Sequence, residues 1–170
     1  MKKFIILIPV YNDWESLIKL LFEINSNIQN INNAEFKCIV INDASTEPPH
    51  DIKVPTNIDS IKVVNMKKNK GHARCNAFGI RYLAKKNDYD HLILMDGDGE
   101  DRPEEIKLLV EKALENGNIS VVAKRIKRSE GPFFQFLYQV HKIITLILTG
   151  QNINFGLHRF WTGEDFEKFH

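Results

Sequence analysis

Phe4 to Ile8 reads Phe-Ile-Ile-Leu-Ile without a polar break and is closed by Pro9. A strand with one wet face alternates apolar and polar residues, whereas a continuous apolar run marks a strand covered on both faces. Such a strand needs helices above and below its sheet, and this narrows the fold more than any other feature of the chain. Further short, mainly apolar runs follow at 36–41, 61–64, 92–95 and 119–123. Between them the spacing turns helical. Asp13 can cap a helix carrying Leu17, Leu20, Leu21 and Ile24, and a second helix covers Ala73 to Ala84. A third carries Ile106, Leu109, Val110 and Ala113 and stops near Gly117, with Pro103 in its first turn and Glu104 and Glu105 near its positive end. Strands alternating with helices predict an α/β fold, a mainly parallel sheet flanked by helices.

A chain of 170 residues that is 43% hydrophobic can bury one sizeable core. Its 23 Lys and Arg against 22 Asp and Glu leave a net charge of +1, which argues against nucleic acid as a partner. Cys38 and Cys75 have no metal-finger spacing and read as buried, reduced thiols of a cytoplasmic protein. The amino-terminal apolar run is broken by Pro9 and Asn12-Asp13, too early for a signal peptide. No run has the length of a confident membrane span.

In parallel sheets, ligands bind where the carboxyl ends of the strands meet the following loops. Asn12, Asp43, Asp96 and Asp98 all follow predicted strands, so they are expected to converge on one crevice. Asp96, Asp98 and Glu100 put three carboxylates within one short turn, an oxygen set suited to Mg²⁺ or Mn²⁺ that also takes phosphate oxygens from a substrate. The alternative is a solvated acidic turn, but a buried strand delivers this one to the ligand edge. An EF-hand is excluded, because Asp101 stands where glycine is needed and Lys107 where glutamate is needed. Asp43 suits either a contact to a base or ribose, or an Asx-turn formed by itself or Asn42.

No GxGxxG or P-loop motif is present, so a diphosphate has to be met by a metal and basic side chains. Lys70, His72 and Arg74 flank the turn at Gly71, while Lys124, Arg125, Lys127 and Arg128 follow the last predicted strand; Arg125 lies nearest that strand's end. The histidines show no metal-protease spacing and are expected mostly at the surface. Pro132 to Thr149 is rich in Phe, Leu and Ile with polar breaks. It reads either as an amphipathic helix in a membrane interface, beside the basic stretch, or as a core helix.

These motifs, in this order, resemble family 2 glycosyltransferases of the GT-A fold: Ile8-Pro9-Val10-Tyr11-Asn12, Asn42-Asp43-Ala44-Ser45-Thr46 and Met95-Asp96-Gly97-Asp98. Gly71-His72-Ala73-Arg74, Asp96 through Pro103 and Lys124 through Gly131 are similar to the polyprenyl-phosphate sugar transferases, such as dolichyl-phosphate mannose synthase. The resemblance spans roughly Lys3 to Phe160. It implies a Rossmann-like, nucleotide-sugar-binding GT-A domain over residues 1–128, with 129–170 forming an amphipathic interfacial helix and an incomplete acceptor-side segment. It also implies roles. Pro9, Tyr11 and Asn12 shape the nucleotide pocket, Asn12 replacing the usual acidic residue. Asp43 meets the base or ribose. Lys70 and Arg74 lie on the nucleotide side. Asp96, Asp98 and Glu100 hold Mg²⁺ or Mn²⁺, with Asp98 and Arg125 acting directly on the diphosphate. The implied partners are a UDP- or GDP-linked sugar and, at the inner face of the cell membrane, a polyprenyl phosphate. Relatives carry an Asp-Phe-Gly-Asp-Phe-Arg motif that here reads Asn154-Phe155-Gly156-Leu157-His158-Arg159, without its carboxylates, and they continue further, so a C-terminally incomplete transferase is expected.

Two other classes share parts of this pattern. A nucleotidyltransferase needs a Gly-rich basic loop after the first strand, and Pro9-Val10-Tyr11-Asn12 is not one. A phosphoacceptor receiver domain matches Asp43, Asp96 and Lys124 but not the Asp96/Asp98/Glu100 cluster.

Overall fold

The computed structural model describes residues 1–49, 51–86, 88–98, 101–116 and 160–162. Its elements are β1 (Lys2–Val10), α1 (Trp14–Ile28), β2 (Ala34–Asn42), β3 (Ser60–Asn65), α2 (His72–Ala84), β4 (His91–Leu94), α3 (Glu104–Asn116) and β5 (Phe160–Thr162). They form one sheet in the order β3-β2-β1-β4-β5. β1 pairs in parallel with β2 and β4, β2 in parallel with β3, and β5 runs antiparallel to β4. The α/β class and the parallel sheet are as expected, as are the four strands and three helices of residues 1–116. The strand expected at 119–123, the apolar segment at 132–149 and the boundary at 128 lie outside the described residues. β5 matches no expected strand, since three residues are too few to show a period.

The central strand explains the opening apolar run. Phe4, Ile6, Ile8 and Val10 of β1 pack into a core with Leu17, Leu20, Leu21 and Ile24 of α1 and Ile106, Val110 and Ala113 of α3. Ile5 and Leu7 point the other way, into a core with Cys75 and Leu83 of α2. Side chains alternate across a strand, so β1 has no face left for water. At Gly79, α2 lies so close to the sheet that an added Cβ would stand 2.7 Å from both Leu7 methyl carbons. β3 is an outer strand; its exposed Lys62 suits an edge. Asp13 caps α1, its carboxylate accepting the Ser16 N–H at 3.2 Å.

Pro9 was expected to end β1 but lies within it. The reason is one of direction. Leu7 O accepts the Met95 N–H on the β4 side, and Val10 O accepts the Asp43 N–H on the β2 side. Pro9 shares the parity of Leu7, so its missing N–H falls on the β4 side, where pairing has already stopped at Leu7 and Leu94.

At the opposite end, Asp90 fastens the start of β1 by accepting the Lys3 N–H at 2.8 Å and the Lys2 ammonium at 2.7 Å. The next residue, His91, is buried and stacks on Phe4 with ring centroids 4.7 Å apart. Burial holds its imidazole below the ordinary value of 6.5, against the opposing pull of Asp90. The unfolded chain therefore takes up this proton more readily than the folded one. The stabilisation is complete above about pH 6.5 and is lost as pH falls through the depressed value. His91→Phe keeps the stack and removes the proton site. Urea unfolding between about pH 7 and 5 should show the wild type losing stability relative to this variant, by an amount growing on acidification.

Candidate functional site

β1 lies between β2 and β4 and runs parallel to both, so the three strands finish at one edge and the loops that follow them meet there. Four loops meet there: 10–13 after β1, 43–47 after β2, 69–72 at the start of α2, and 95–98 after β4. Their polar groups hold one another. Asn12, with φ 56°, accepts the Thr46 N–H at 2.8 Å on Oδ1, donates from Nδ2 to Thr46 Oγ1 at 3.0 Å, and gives its own N–H to Ser45 Oγ at 2.9 Å. Asn42 closes the turn by accepting the Ser45 N–H at 2.9 Å.

Asp43 does not form the local turn. Its carboxylate reaches across to the start of α2, where Oδ1 accepts the Lys70 N–H at 2.9 Å and Oδ2 the Gly71 N–H at 2.8 Å. Gly71 has φ 82°, a region that glycine enters without strain. One residue on, His72 Nε2 lies 3.1 Å from Asp96 Oδ1. Asp101 Oδ2 accepts the Asp96 N–H at 2.7 Å and so ties the acidic loop to the approach of α3. Gly97 completes the circuit. An added Cβ there would stand 2.7 Å from Pro9 O, so only a residue without one allows the Asp96–Asp98 turn to sit against the end of β1.

A cavity of about 190 Å³ opens inside this circuit, lined by Pro9, Tyr11, Asp43, Asn69, Gly71, His72 and Cys75 among others. A larger one, about 450 Å³, lies at the amino edge beside Lys2, Asn33 and Asp90. The smaller is the better candidate, because it sits at the edge where parallel sheets bind ligands. Tyr11 stands exposed at its mouth, and Asp43 is buried beneath it. Cys75 donates its thiol to Ile41 O at 3.5 Å, and burial, with Asp43 nearby, pushes its pKa up to about 12. It is a packing residue and not a nucleophile. Cys38, also buried and free, is held at about 12 by burial alone.

The expected residues Pro9, Tyr11, Asn12, Asp43, Asp96 and Asp98 are thus brought to one edge, with Lys70 and Arg74 exposed around the start of α2. Glu100 and Arg125 lie outside the described residues. Among those described, no three His, Cys, Asp or Glu side chains form a metal-holding group. Asp96 and Asp98 supply hard carboxylate oxygens, and Mg²⁺ is commonly held by one or two carboxylates together with substrate phosphates. The donor set therefore fits a cation that arrives with a diphosphate. Asp101 was not foreseen as a fastener and His72 was not foreseen as a partner of Asp96; only the short distance from Asp101 back to Asp96 offered a signal.

The model of the family described as Glycosyl transferase family 2 matches residues 5–166. The chain belongs to that family. No curated protein gives a significant sequence match. Among solved structures, S. aureus TarS 1-349 superposes with a TM-score of 0.61 at 17% identity, over 99% of this chain and 49% of that one. Glucosyl-3-phosphoglycerate synthase from Mycobacterium tuberculosis, in complex with Mn²⁺, UDP-glucose and phosphoglyceric acid, gives 0.64 at 14% identity, over 96% and 57%. The mannosyltransferase PcManGT from Pyrobaculum calidifontis, in complex with GDP-Man and Mn²⁺, gives 0.51 at 14%, over 98% and 46%. At these identities the likeness is one of fold, and it is the GT-A fold that the motifs implied. The chain spans about half the length of these structures.

Two substitutions test the family 2 crevice as described. Gly97→Ala forces its methyl against the backbone of β1 and should cost about 1–3 kcal/mol in urea unfolding. Asp43→Asn turns one of two acceptors into a donor facing a backbone N–H. A loss of about 2 kcal/mol is expected, and no loss would mean that the clamp on Lys70 and Gly71 is not made.

Proposed function

We propose that this chain carries the donor-binding part of a metal-dependent, inverting glycosyltransferase that moves a sugar from a UDP- or GDP-linked donor. The observation that supports this best is the meeting of two features at the carboxyl edge of the sheet: a cavity of about 190 Å³ lined by Pro9, Tyr11 and Asp43, and the Asp96-Gly97-Asp98 turn packed against Pro9. The complexes of the solved neighbours, with UDP, UDP-GlcNAc, or GDP-Man and Mn²⁺, support the same class of ligand.

In this reading Pro9, Tyr11 and Asn12 form the wall for the nucleoside and Asp43 its floor. The first turn of α2 has no side-chain cap on its N–H groups. With Lys70 and Arg74 beside it, that turn offers the diphosphate an electropositive edge. Arg125 is assigned to the phosphates and Glu100 to the cation. A divalent cation carried by Asp96 and Asp98 would neutralise the charge growing on the leaving diphosphate. The acceptor oxygen attacks the anomeric carbon from the face opposite the diphosphate. The new C–O bond forms as the old one breaks, and the electron pair leaves on the phosphate oxygen.

A hydroxyl acceptor needs a general base. A phosphate monoester, with a second pKa of about 6, is already ionised at neutral pH. Leu157 stands where relatives carry a carboxylate, which favours a phosphate acceptor, and a polyprenyl phosphate fits the basic stretch at 124–128 followed by the apolar 132–149. In this reading the protein works at the inner membrane surface; among the described residues no helix is long and apolar enough to cross a membrane.

Calorimetric titration of UDP, GDP and their sugars, with and without Mn²⁺, tests the donor reading. Binding that needs Mn²⁺ and is lost in Asp98→Ala is the expected result. A folded wild type that binds none of them would sink it. Binding without any turnover on a lipid phosphate or a sugar would leave a nucleotide-binding remnant instead of an enzyme.

A further inference from the structure

The two layers of helices differ in charge. α1 and α3 cover one face of the sheet and carry six Glu against three Lys, and each of those lysines pairs with a Glu of its own helix. α2 covers the other face and has no Asp or Glu. The lack extends beyond the helix: from Ser60 to Lys86 the chain has eight Lys and Arg and not one carboxylate side chain. A net charge of +1 therefore conceals a basic side built from β3 and α2.

We propose that the outer face of α2 is a docking surface for an anionic lipid bilayer. Arg74, Phe78, Arg81 and Lys85 follow one another at helical spacing and line one stripe. All four are exposed, while Cys75, Gly79 and Leu83 hold the side toward the sheet. At the helical rise the stripe is about 16 Å long. Phe78 stands in its middle, 38% exposed, where a ring can enter the headgroup layer while the Arg and Lys around it meet phosphates. Among the described residues Arg81 and Lys85 have no carboxylate partner, so docking breaks no ion pair there. On the flank, the Lys62 and Lys86 ammoniums lie 5.6 and 5.0 Å from the Tyr82 ring centroid and carry the positive surface on to the outer strand. A convex helix face suits a flat anionic surface. A nucleic-acid strand is instead taken up in a groove with stacking rings, and neither cavity described above is lined by Phe78, Arg81 or Lys85. The proposal stands on charge and exposure, independently of the acceptor reading and of the segment at 124–149.

Co-sedimentation of the full chain with vesicles tests this, using phosphatidylcholine alone and phosphatidylcholine mixed three to one with phosphatidylglycerol. Binding to the anionic vesicles only, weakening as salt is added, is the expected result. Each basic residue near such a surface is worth about fivefold in partitioning, so Arg81→Gln combined with Lys85→Gln should bind about 30-fold more weakly. Lys19→Gln combined with Lys107→Gln removes the same charge from the α1/α3 side and should bind as the wild type does. All four positions are exposed, so neither pair should change urea unfolding appreciably. Phe78→Trp should add a shift of indole emission to shorter wavelength on anionic vesicles, beyond any shown by the wild type. Wild-type binding by the Arg81/Lys85 variant overturns the proposal, because another segment then carries the contact. Equal losses in the two double variants, or no added shift in Phe78→Trp, overturn it as well. So does a chain that ignores both kinds of vesicle, whether or not it takes up single-stranded RNA. Arg81 and Lys85 lie toward the end of α2 away from the crevice, so nucleotide titration of the same variants reports on the donor reading separately.

Discussion

Strand β1 gives up water on both faces, and the remaining layers are arranged around that condition. Phe4, Ile6, Ile8 and Val10 need α1 and α3, while Ile5 and Leu7 need α2. Burying side chains of this size is worth roughly 1.5–3 kcal/mol each. A strand in the middle of a parallel sheet also obliges its neighbours to end at the same edge. The carboxyl ends of β1, β2 and β4 therefore come together because the core requires it.

That edge lacks ladder partners, and its backbone groups must be met in other ways. The solution is a circuit of side chains, with Asn12 gripping 45–47, Asp43 gripping 70–71, His72 on Asp96, and Gly97 against Pro9. Asn12, Ala44 and Gly71 all sit at positive φ within it, at 56°, 58° and 82°. For Ala44, which has neither glycine's freedom nor a polar side chain, this conformation costs about 1–2 kcal/mol. The surrounding hydrogen bonds hold the strain at the crevice. A pocket whose walls are fixed before a ligand arrives loses less in ordering them.

Much of this was legible beforehand, though unevenly. The β1 run, the α1 cap at Asp13 and the acidic turn after β4 are each local patterns, and each is found where the pattern put it. Asp43 was open between a local turn and a ligand contact. The turn belongs to Asn42, and Asp43 instead clamps a backbone 27 positions away. Asn12 was expected as a wall of the pocket; what the structure shows is its side chain tying the loop after β2. Pro9 looked like a terminator, because a sequence does not say on which side of a strand its neighbour has already ended. The expected roles of Glu100 and Arg125 lie outside the described residues.

The amino-acid sequence by itself determined the class of fold, the order of elements and the edge at which polar residues gather. Those follow from hydrophobic periodicity, which is carried along the chain and is indifferent to direction within the core. The tertiary structure alone decided which carboxylate meets which N–H, that an imidazole on α2 faces an aspartate after β4, and that a glycine is needed at 97. Hydrogen bonds and close contacts depend on tenths of an ångström and on angle. Those quantities exist only once distant segments have been packed against each other.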